Sequence, residues 1–190
     1  MESNSRKTQI LKEIFGYDSF RKGQEEIVDQ ILNGRDVLAI MPTGAGKSLC
    51  YQVPALLMSG ITIVVSPLIS LMIDQVKALN EAGVHAAYIN SALTERQITK
   101  ALELAAAGRY KMIYVAPERL LAPRFLDFAC HTKLSMVTID EAHCISQWGQ
   151  DFRPSYVKIT EFIRQLPRRP VVSAFTATAT QKVREDILEV

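Results

Sequence analysis

The chain has 190 residues, a formal net charge of +2 and a hydrophobic content of 48%, which fits one domain with a sizeable buried core. Its three widely spaced cysteines argue against a disulfide framework or a zinc site and favour a reducing, cytosolic setting. The polar start lacks the apolar core of a secretory signal, and the longest nearly apolar run, 61–73, is too short and too interrupted to cross a bilayer, so no membrane partner is expected.

Short β-branched, apolar runs alternate with longer amphipathic stretches along the chain. The runs predict strands at residues 37–40, 61–65, 86–89, 112–115, 136–139 and 171–175. The amphipathic stretches predict helices at residues 24–32, 47–58, 68–80, 94–106, 156–166 and 181–189. Asn33-Gly34, Ala82-Gly83 and Gly108 are typical helix stops, and Thr94 begins a capping pattern. Apolar strands separated by helices predict an α/β three-layer sandwich with a mostly parallel sheet.

Residues 41–48, Met-Pro-Thr-Gly-Ala-Gly-Lys-Ser, lie between a predicted strand and a predicted helix, the context that a phosphate-binding loop requires. The two glycines can take positive φ angles, so backbone N–H groups can close around phosphates. Lys47 would reach the β- and γ-phosphates, and the Ser48 hydroxyl would ligate magnesium. Met41 stands where the strict pattern has its first glycine. The residues expected to bind ATP here are Thr43, Gly44, Ala45, Gly46, Lys47 and Ser48.

Asp140 and Glu141 follow the apolar run 134–139. Ligands of open α/β sheets bind at the carboxyl ends of the strands. We expect Asp140 to hold Mg²⁺ with Ser48, and Glu141 to polarise the attacking water as general base. His143 has no second histidine or cysteine at metal-ligand spacing, so we interpret it as a relay between the γ-phosphate site and neighbouring loops. The residues that this reasoning assigns to catalysis are Lys47, Asp140, Glu141 and His143.

Residues 140–156, Asp-Glu-Ala-His-Cys-Ile-Ser-Gln-Trp-Gly-Gln-Asp-Phe-Arg-Pro-Ser-Tyr, resemble motif II and the aromatic-rich loop of RecQ DNA helicases, within helicase superfamily 2. Residues 41–48 resemble motif I of that family, which tolerates a residue other than glycine at its first position. The resemblance covers nearly the whole chain. It implies that 1–190 is the first RecA-like P-loop NTPase lobe, the ATP-binding motor of an ATP-dependent 3′-to-5′ DNA helicase in recombination and repair.

Residues 15–24 resemble motif 0 of the family, which recognises adenine. By that resemblance, Tyr17 stacks on the base, Gln24 reads its edge and Arg21 supports the site. A glutamine amide offers one donor group and one acceptor, which match the edge of adenine. Without the resemblance, Phe15, Tyr17 and Phe20 would be interpreted as core residues.

Four further segments are similar to family motifs. Residues 66–76, 89–91 and 115–120 resemble motifs Ia, Ib and Ic, which in the family face the nucleic-acid backbone, and each follows a predicted strand and carries donors suited to phosphates. Residues 174–180 resemble motif III, whose threonine hydroxyls would link segment 140–143 to the strand-end loops. The candidates for DNA binding or coupling in these segments are Ser66, Pro67, Asn90, Ser91, Arg119, Thr176 and Thr178.

Trp148, the only tryptophan, lies in a glycine-flanked polar stretch with Phe152 and Arg153. Aromatic and arginine side chains can stack on unpaired bases, which is worth about 1–3 kcal/mol per base. We predict that single-stranded DNA orders this loop, which then positions Glu141 and His143. A packed core position for Trp148 is the alternative, and no role is assigned to Gln150, where many relatives have histidine.

The resemblance also implies partners. Helicases of this type need a second RecA-like lobe, whose arginine finger can be worth about 10³–10⁵ in rate, and the family has zinc-binding and winged-helix regions. None of these is present in 1–190, so we expect this chain alone to hydrolyse ATP poorly and not to unwind DNA. The expected partners are single-stranded and partly duplex DNA and the second lobe, in a bacterial, nucleoid-associated cytoplasmic location rather than a nuclear one.

Two alternatives stay open. One is an RNA helicase of the same superfamily, against which the Gln-Trp-Gly-Gln-Asp-Phe-Arg stretch speaks. The other is a non-catalytic nucleotide-binding module, which the combination of Lys47, Ser48, Asp140 and Glu141 disfavours.

Overall fold

The computed structural model describes residues 2–149 and 151–189. In that part of the chain six strands form one sheet: β1 (Val37–Ile40), β2 (Ile61–Val65), β3 (Ala86–Ile89), β4 (Met112–Val115), β5 (Leu134–Ile139) and β6 (Val171–Thr176). The helices are α1 (Glu2–Phe15), α2 (Gln24–Leu32), α3 (Lys47–Leu57), α4 (Ile69–Glu81), α5 (Glu95–Ala106), α6 (Pro123–His131), α7 (Val157–Gln165) and α8 (Gln181–Leu188). Short 3-10 turns occupy Pro117–Arg119, Ala142–Ile145 and Pro154–Tyr156.

The six predicted strands and six predicted helices are confirmed. Helix bounds differ from the prediction by at most one residue, while β5 begins two residues earlier and β6 ends one residue later. The helix stops are confirmed by positive φ angles at Gly34, Gly83 and Gly108. The capping pattern is confirmed as well, because the Thr94 hydroxyl accepts from the Gln97 amide and the Gln97 side chain accepts from the Thr94 amide.

Two helices were not predicted. The inner face of α1 carries a buried lysine, Lys7, one turn before Leu11, so the apolar period of this helix is interrupted. Helix α6 has only nine residues and begins with a proline, and Phe125, Phe128 and Ala129 form its buried face. Its i, i+3, i+4 spacing and its N-terminal proline are a helix signal that the sequence does carry.

All paired strands are parallel, in the order β1-β6-β5-β2-β4-β3. Alternate residues face opposite layers: Ile63 and Val65 pack with helices α5 to α8, whereas Val64 packs with helices α2 to α4. Helix α1 lies outside the second layer, where Leu11 contacts residues of α2 and α3. The predicted three-layer sandwich is therefore confirmed, and its carboxyl strand ends share one edge of the sheet.

No described helix combines the length and the apolar content that a membrane-spanning segment needs.

Candidate functional site

The phosphate-loop candidate connects β1 to α3 at the carboxyl edge of the sheet. The Met41 amide donates to the carbonyl of Thr176 at 2.9 Å, which fixes the exit of β1 against the end of β6. Gly44 and Gly46 have φ angles of 81° and 78°, the left-handed conformation that only glycine adopts without cost. Since α3 begins at Lys47, the loop and the helix N-terminus together present backbone N–H groups suited to an anion.

The segment before α2 holds this loop from the outside. The buried Gln24 amide donates to the carbonyls of Ala45 and Gly46, both at 3.1 Å, while its oxygen accepts from the Arg21 amide at 2.8 Å. The Arg21 guanidinium donates to the carbonyl of Gly44 at 2.8 Å. The amide of Gln24 is thus engaged by the phosphate loop itself, a set of contacts that the sequence did not reveal.

Tyr17 lies at the mouth of the same site. Its side chain is 47% exposed, so the interpretation of Tyr17 as a core residue is wrong. An exposed ring at the rim of a cavity is available for stacking on a ligand. Phe15 and Phe20 are partly buried and pack against the small cluster around Leu11.

The two acids follow β5 on the same edge. Lys47 Nζ lies 3.7 Å from Glu141 Oε1, so the loop after β1 and the acids after β5 meet in space as predicted. The Asp140 amide donates to the carbonyl of Val65 at 2.9 Å, and the buried Tyr156 hydroxyl donates to the carbonyl of Asp140 at 2.8 Å. These bonds fix the backbone on both sides of the strand end.

Electrostatics at the acids favour the arrival of positive charge. Burial, followed by the negative charge of Glu141, raises the pKa of Asp140 to about 6. The Glu141 amide, which donates to Asp140 Oδ1 at 3.0 Å, and the Lys47 ammonium oppose that rise. A buried carboxylate beside a second carboxylate has little compensation from the protein alone, and a cation would supply it.

His143 joins the acids to the end of β6. Its Nδ1 lies 2.9 Å from Thr176 Oγ1 and 3.3 Å from Glu141 Oε2. Because the Thr176 hydroxyl donates its proton to the carbonyl of Thr178 at 3.0 Å, it must accept from His143. The structure therefore contains the link between segment 140–143 and the threonine segment, whereas its role in catalysis stays a prediction.

One cavity of about 410 Å³ unites the groups predicted to bind nucleotide, except Ala45, which does not line it. Such a volume lies within the range of small-ligand sites. Its lining includes hydroxyl, carboxylate, ammonium, guanidinium, amide and aromatic side chains. Among the lining residues are Tyr17, Arg21, Gln24, Thr43, Gly44, Gly46, Lys47, Ser48, Asp140 and Glu141.

The candidates for nucleic-acid contact follow β2, β3 and β4 along the other half of the edge. Ser66 and Asn90 are buried, and neither the Ser66 hydroxyl nor the Asn90 Nδ2 group finds a hydrogen-bond partner within the described residues. Arg119 Nη1 lies 3.6 Å from Glu95 Oε1, and Ser91 is exposed. These side chains occupy the positions predicted for them, and their contacts with nucleic acid stay predictions.

The aromatic loop between the turn Ala142–Ile145 and the turn Pro154–Tyr156 folds back on the first of them. Trp148 is 72% exposed, so a packed core position for this side chain is wrong. The Ser146 hydroxyl accepts from the Trp148 amide at 3.1 Å and donates to Asp186 on α8 at 2.6 Å. Phe152 is partly buried, and Gln150 lies outside the described residues.

Arg153 connects this loop to the loop after β2. Its guanidinium donates to the carbonyl of Pro67 at 3.2 Å and pairs with Asp151 at 3.1 Å. Its amide donates to the carbonyl of Cys144 at 2.9 Å. The sequence indicates a polar, arginine-bearing loop but holds no signal for the Pro67 contact, because that carbonyl is 86 positions away.

Comparisons with known proteins agree with this geometry. A profile of the DEAD/DEAH box helicase family matches residues 21–187. The chain is 51% identical over 183 residues to "ATP-dependent DNA helicase RecQ" of Bacillus subtilis (strain 168), covering 96% of this chain and 31% of that protein. It is 48% identical over 179 residues to the protein of the same name from Haemophilus influenzae, covering 94% and 29%. The resemblance to RecQ helicases is thereby confirmed, and the chain spans about three tenths of these relatives.

Solved structures match the fold. A crystal structure of the DUF1998 helicase MrfA bound to DNA and AMPPNP superposes with a TM-score of 0.76 at 17% identity, covering 96% of this chain and 28% of that one. A hypothetical ATP-dependent RNA helicase from Sulfolobus tokodaii gives a TM-score of 0.72 at 20% identity, covering 98% and 54%. With the family profile spanning 21–187 and the loop after β1 facing the acids after β5, the chain belongs to the DEAD/DEAH box helicase family.

Proposed function

We propose that this chain is the ATP-binding motor lobe of an ATP-dependent DNA helicase that moves 3′ to 5′ and serves recombination and repair. The observation that carries the proposal is the approach of Lys47 Nζ to Glu141 Oε1, 3.7 Å apart, in a cavity that Ser48 and Asp140 also line. The names of the RecQ relatives support a DNA helicase. A nucleoid-associated location in a bacterial cytoplasm is part of the proposal.

The cavity offers a phosphate site at one end and a base site at the other, as ATP binding requires. The backbone of Gly44 to Lys47 would surround the phosphates, with Lys47 leaving Glu141 for the β- and γ-phosphate oxygens. Tyr17 would stack on the base, and Arg21 lines the same cavity. For Gln24 to read adenine, its amide must give up at least one of its contacts with the loop carbonyls, so base recognition and loop conformation are coupled through this side chain.

Mg²⁺ fits the oxygen donors at the other end of the cavity. The Ser48 hydroxyl and the Asp140 carboxylate would hold it, and hard oxygen ligands are those that this ion prefers. Burial and the negative charge of Glu141 raise the pKa of Asp140. A bound cation would stabilise the ionised carboxylate and lower that pKa again. When bound, the ion would neutralise charge on the phosphate oxygens.

Hydrolysis itself would depend on Glu141. Its carboxylate would accept a proton from the attacking water, and His143 Nδ1, 3.3 Å from Glu141 Oε2, would hold that carboxylate in place. A second RecA-like lobe would complete the site with an arginine.

DNA would lie across the loops after β2, β3 and β4. A buried donor without a partner costs about 1–3 kcal/mol, and the Ser66 hydroxyl and the Asn90 Nδ2 group are buried and unpaired in the part of the chain that is described. Phosphate oxygens would satisfy both groups once DNA binding opens these loops and exposes them. Both single-stranded and partly duplex DNA present such oxygens.

The first test is Glu141→Gln in a protein that joins this lobe to the second one. The variant should bind ATP as tightly as the wild type yet hydrolyse it about 10²–10⁴-fold more slowly, because only the base is lost. Glu103→Gln, on the exposed face of α5, is the matched control and should retain full turnover. Turnover that survives Glu141→Gln would contradict the assignment of the base.

The second test compares nucleic acids. The ATPase rate of the same two-lobed protein should rise with single-stranded DNA and respond less to RNA of the same sequence. A stronger response to RNA would overturn the choice of DNA as substrate while leaving the ATPase assignment intact.

A further inference from the structure

Three side chains with metal-ligating atoms converge beside the predicted catalytic acids. One ligand atom each from His143, Cys144 and Asp151 lies within 4.8 Å of the other two. His143 and Cys144 belong to the turn Ala142–Ile145, whereas Asp151 comes from the aromatic loop. The spacing of the sequence argues against a metal at His143, but the fold-back of the loop supplies the ligand that spacing does not reveal.

The imidazole of His143 is oriented as a metal ligand should be. Since Nδ1–H donates to Thr176 Oγ1 at 2.9 Å, the lone pair sits on Nε2. Nε2 lies 3.8 Å from the sulfur of Cys144, which is buried. A metal-bound histidine almost always donates its other ring N–H to an oxygen, and here that oxygen is already in place.

We propose that His143 Nε2, Cys144 Sγ and Asp151 form a three-ligand site for Zn²⁺, separate from the oxygen-donor site for Mg²⁺. A tetrahedral zinc ion with Zn–S of about 2.3 Å and Zn–N of about 2.0–2.1 Å sets sulfur and nitrogen about 3.6 Å apart. The observed 3.8 Å is close to that value. On binding, the Cys144 thiol loses its proton to solvent, and the thiolate sulfur, the Nε2 lone pair of His143 and a carboxylate oxygen of Asp151 each bond to the ion. Water takes the fourth position.

The donor set selects against magnesium. Thiolate and imidazole ligands favour zinc, whereas magnesium prefers oxygen. Arg153 opposes any cation here, because its guanidinium pairs with Asp151 Oδ2 at 3.1 Å, interacts with the Cys144 thiol and adds a positive charge, so it has to move aside when the ion binds. The charges of the Cys144 thiolate and of Asp151 outweigh that single positive charge, and Oδ1 of Asp151 is the carboxylate oxygen outside the pair with Arg153.

A bound zinc ion would pin the aromatic loop to the turn that carries His143. This step rests on the proposed function, in which single-stranded DNA reorganises the loop around Trp148. Because linkage is reciprocal, zinc and DNA would then weaken each other's binding by the same factor. Zinc would act as an inhibitor of DNA-stimulated hydrolysis that leaves the phosphate loop untouched.

The metal site is tested on this chain alone, with Co²⁺ as a spectroscopic probe in place of Zn²⁺. One equivalent of Co²⁺ should produce a thiolate-to-cobalt charge-transfer band in the near ultraviolet, and Zn²⁺ should displace it. Cys144→Ser should abolish the band, and Cys130→Ser, which changes the half-buried cysteine of α6, should leave it unchanged. No band in the wild type, or a band that survives Cys144→Ser, would overturn the site.

Asp151→Asn is the second variant, needed in case Cys144→Ser destabilises the fold by changing a buried thiol. The Asp151 side chain is 57% exposed, so its substitution should leave the fold intact. Loss of the carboxylate ligand should weaken Co²⁺ binding about tenfold or more. Equal affinity in this variant would overturn the three-ligand site.

The antagonism is tested by repeating the Co²⁺ titration with a single-stranded oligonucleotide present. Metal affinity should fall as oligonucleotide is added. Unchanged affinity with DNA bound would overturn the antagonism and leave the metal site standing. Failure to bind DNA would count against the proposed function, so the two failures are distinguishable.

Discussion

Glu141 shows how a single backbone conformation assembles the candidate site. Its φ of 49° and ψ of 47° make it the one non-glycine residue with positive φ among those described. That conformation costs an ordinary residue about 1–2 kcal/mol. Successive side chains of a strand point to opposite faces, so Asp140 and Glu141 can line one cavity only if the chain leaves the extended conformation between them. The strain is the cost of placing both acids beside Lys47.

Asp140→Asn replaces a buried carboxylate whose pKa is raised in the folded protein. Burial and the negative charge of Glu141 raise the pKa of Asp140 in the folded protein to about 6, from its ordinary value of 3.8. The folded state therefore binds this proton more tightly, and its stability falls as the pH rises from about 4 to about 6. Two pKa units correspond to at most about 3 kcal/mol. Urea unfolding without magnesium or nucleotide should find Asp140→Asn about 1–3 kcal/mol more stable than wild type at neutral pH.

The pH dependence of this stability difference provides a control. At a pH well below 3.8, both folded and unfolded Asp140 are protonated, so the difference between variant and wild type should vanish. Asp74→Asn, on the exposed side of α4, should show no comparable gain. A variant less stable than wild type at every pH would show that the Asp140 carboxylate stabilises the empty fold.

The types of residue at this site could be predicted from sequence, and their mutual contacts could not. The strand–loop–helix context predicts Lys47 as a phosphate ligand, because a short-range pattern is sufficient for that prediction. The contacts of the Gln24 amide with Ala45 and Gly46 join residues more than twenty positions apart, so no local pattern encodes them. The same holds for the meeting of Asp151 with His143, which depends on the path of a whole loop.

At the scale of elements, the phosphate loop allows a matched pair of glycine substitutions. Gly44 and Gly46 both have left-handed φ angles, but a Cβ at Gly46 would lie 2.4 Å from Gln24 Nε2 and a Cβ at Gly44 would meet nothing within 4 Å. Gly44→Ala should cost about 1–2 kcal/mol for its backbone alone. Gly46→Ala should cost about 1–3 kcal/mol more, because the buried Gln24 has to move.

A double-mutant cycle identifies the cause. In a Gln24→Ala background, the extra cost of Gly46→Ala should largely disappear, with a coupling free energy of about 1 kcal/mol or more in urea unfolding. Additive effects of Gln24→Ala and Gly46→Ala would show that the two residues do not share this contact.

The aromatic loop is the second element with a specific prediction. Trp148→Ala should change the free energy of unfolding by less than about 0.5 kcal/mol, because the side chain is 72% exposed. In the two-lobed protein it should leave nucleotide affinity intact and reduce DNA-stimulated hydrolysis by about tenfold, the loss of one stacked base. Leu188→Ala, a large apolar side chain of equal exposure on α8, should leave stimulation unchanged. Full stimulation of the Trp148 variant would refute the role of the loop.

Helix α1 shows why a hydrophobic pattern can fail to predict a helix. Lys7 interrupts the apolar stripe of α1, so the sequence shows no amphipathic pattern there. The lysine can be buried because its ammonium group forms ion pairs with Glu25 and Asp29 of α2, and the sequence of α1 alone does not show those partners. The strands were predicted almost to the residue because both faces of the sheet are covered, so their apolar runs are continuous.

At the scale of the molecule, the strand order divides the carboxyl edge into two halves. Neighbours β1, β6 and β5 carry the phosphate loop, Thr176 and the acids, while β2, β4 and β3 carry the candidate nucleic-acid loops. Sequence order does not reveal this division, because β1 pairs with β6 across more than a hundred residues. The halves meet where β5 pairs with β2.

Arg153 spans that boundary, since its guanidinium holds the Pro67 carbonyl after β2 and the Asp151 carboxylate of the aromatic loop at once. Arg153→Lys keeps the charge but loses the fork that makes both bonds. We expect nucleotide and DNA affinities close to wild type and DNA-stimulated hydrolysis about 3–10-fold lower, while Arg164→Lys on the exposed side of α7 changes neither.

If Arg153 and Trp148 act through one loop, the Arg153→Lys and Trp148→Ala double variant should lose little more stimulation than Trp148→Ala alone, because residues in one network are not additive. Fully multiplicative losses would mean that the boundary contact at Pro67 and the exposed indole act independently. DNA binding would then affect the two acids by two separate routes. The nucleotide half and the nucleic-acid half of the sheet edge would in that case be coupled at more than one contact.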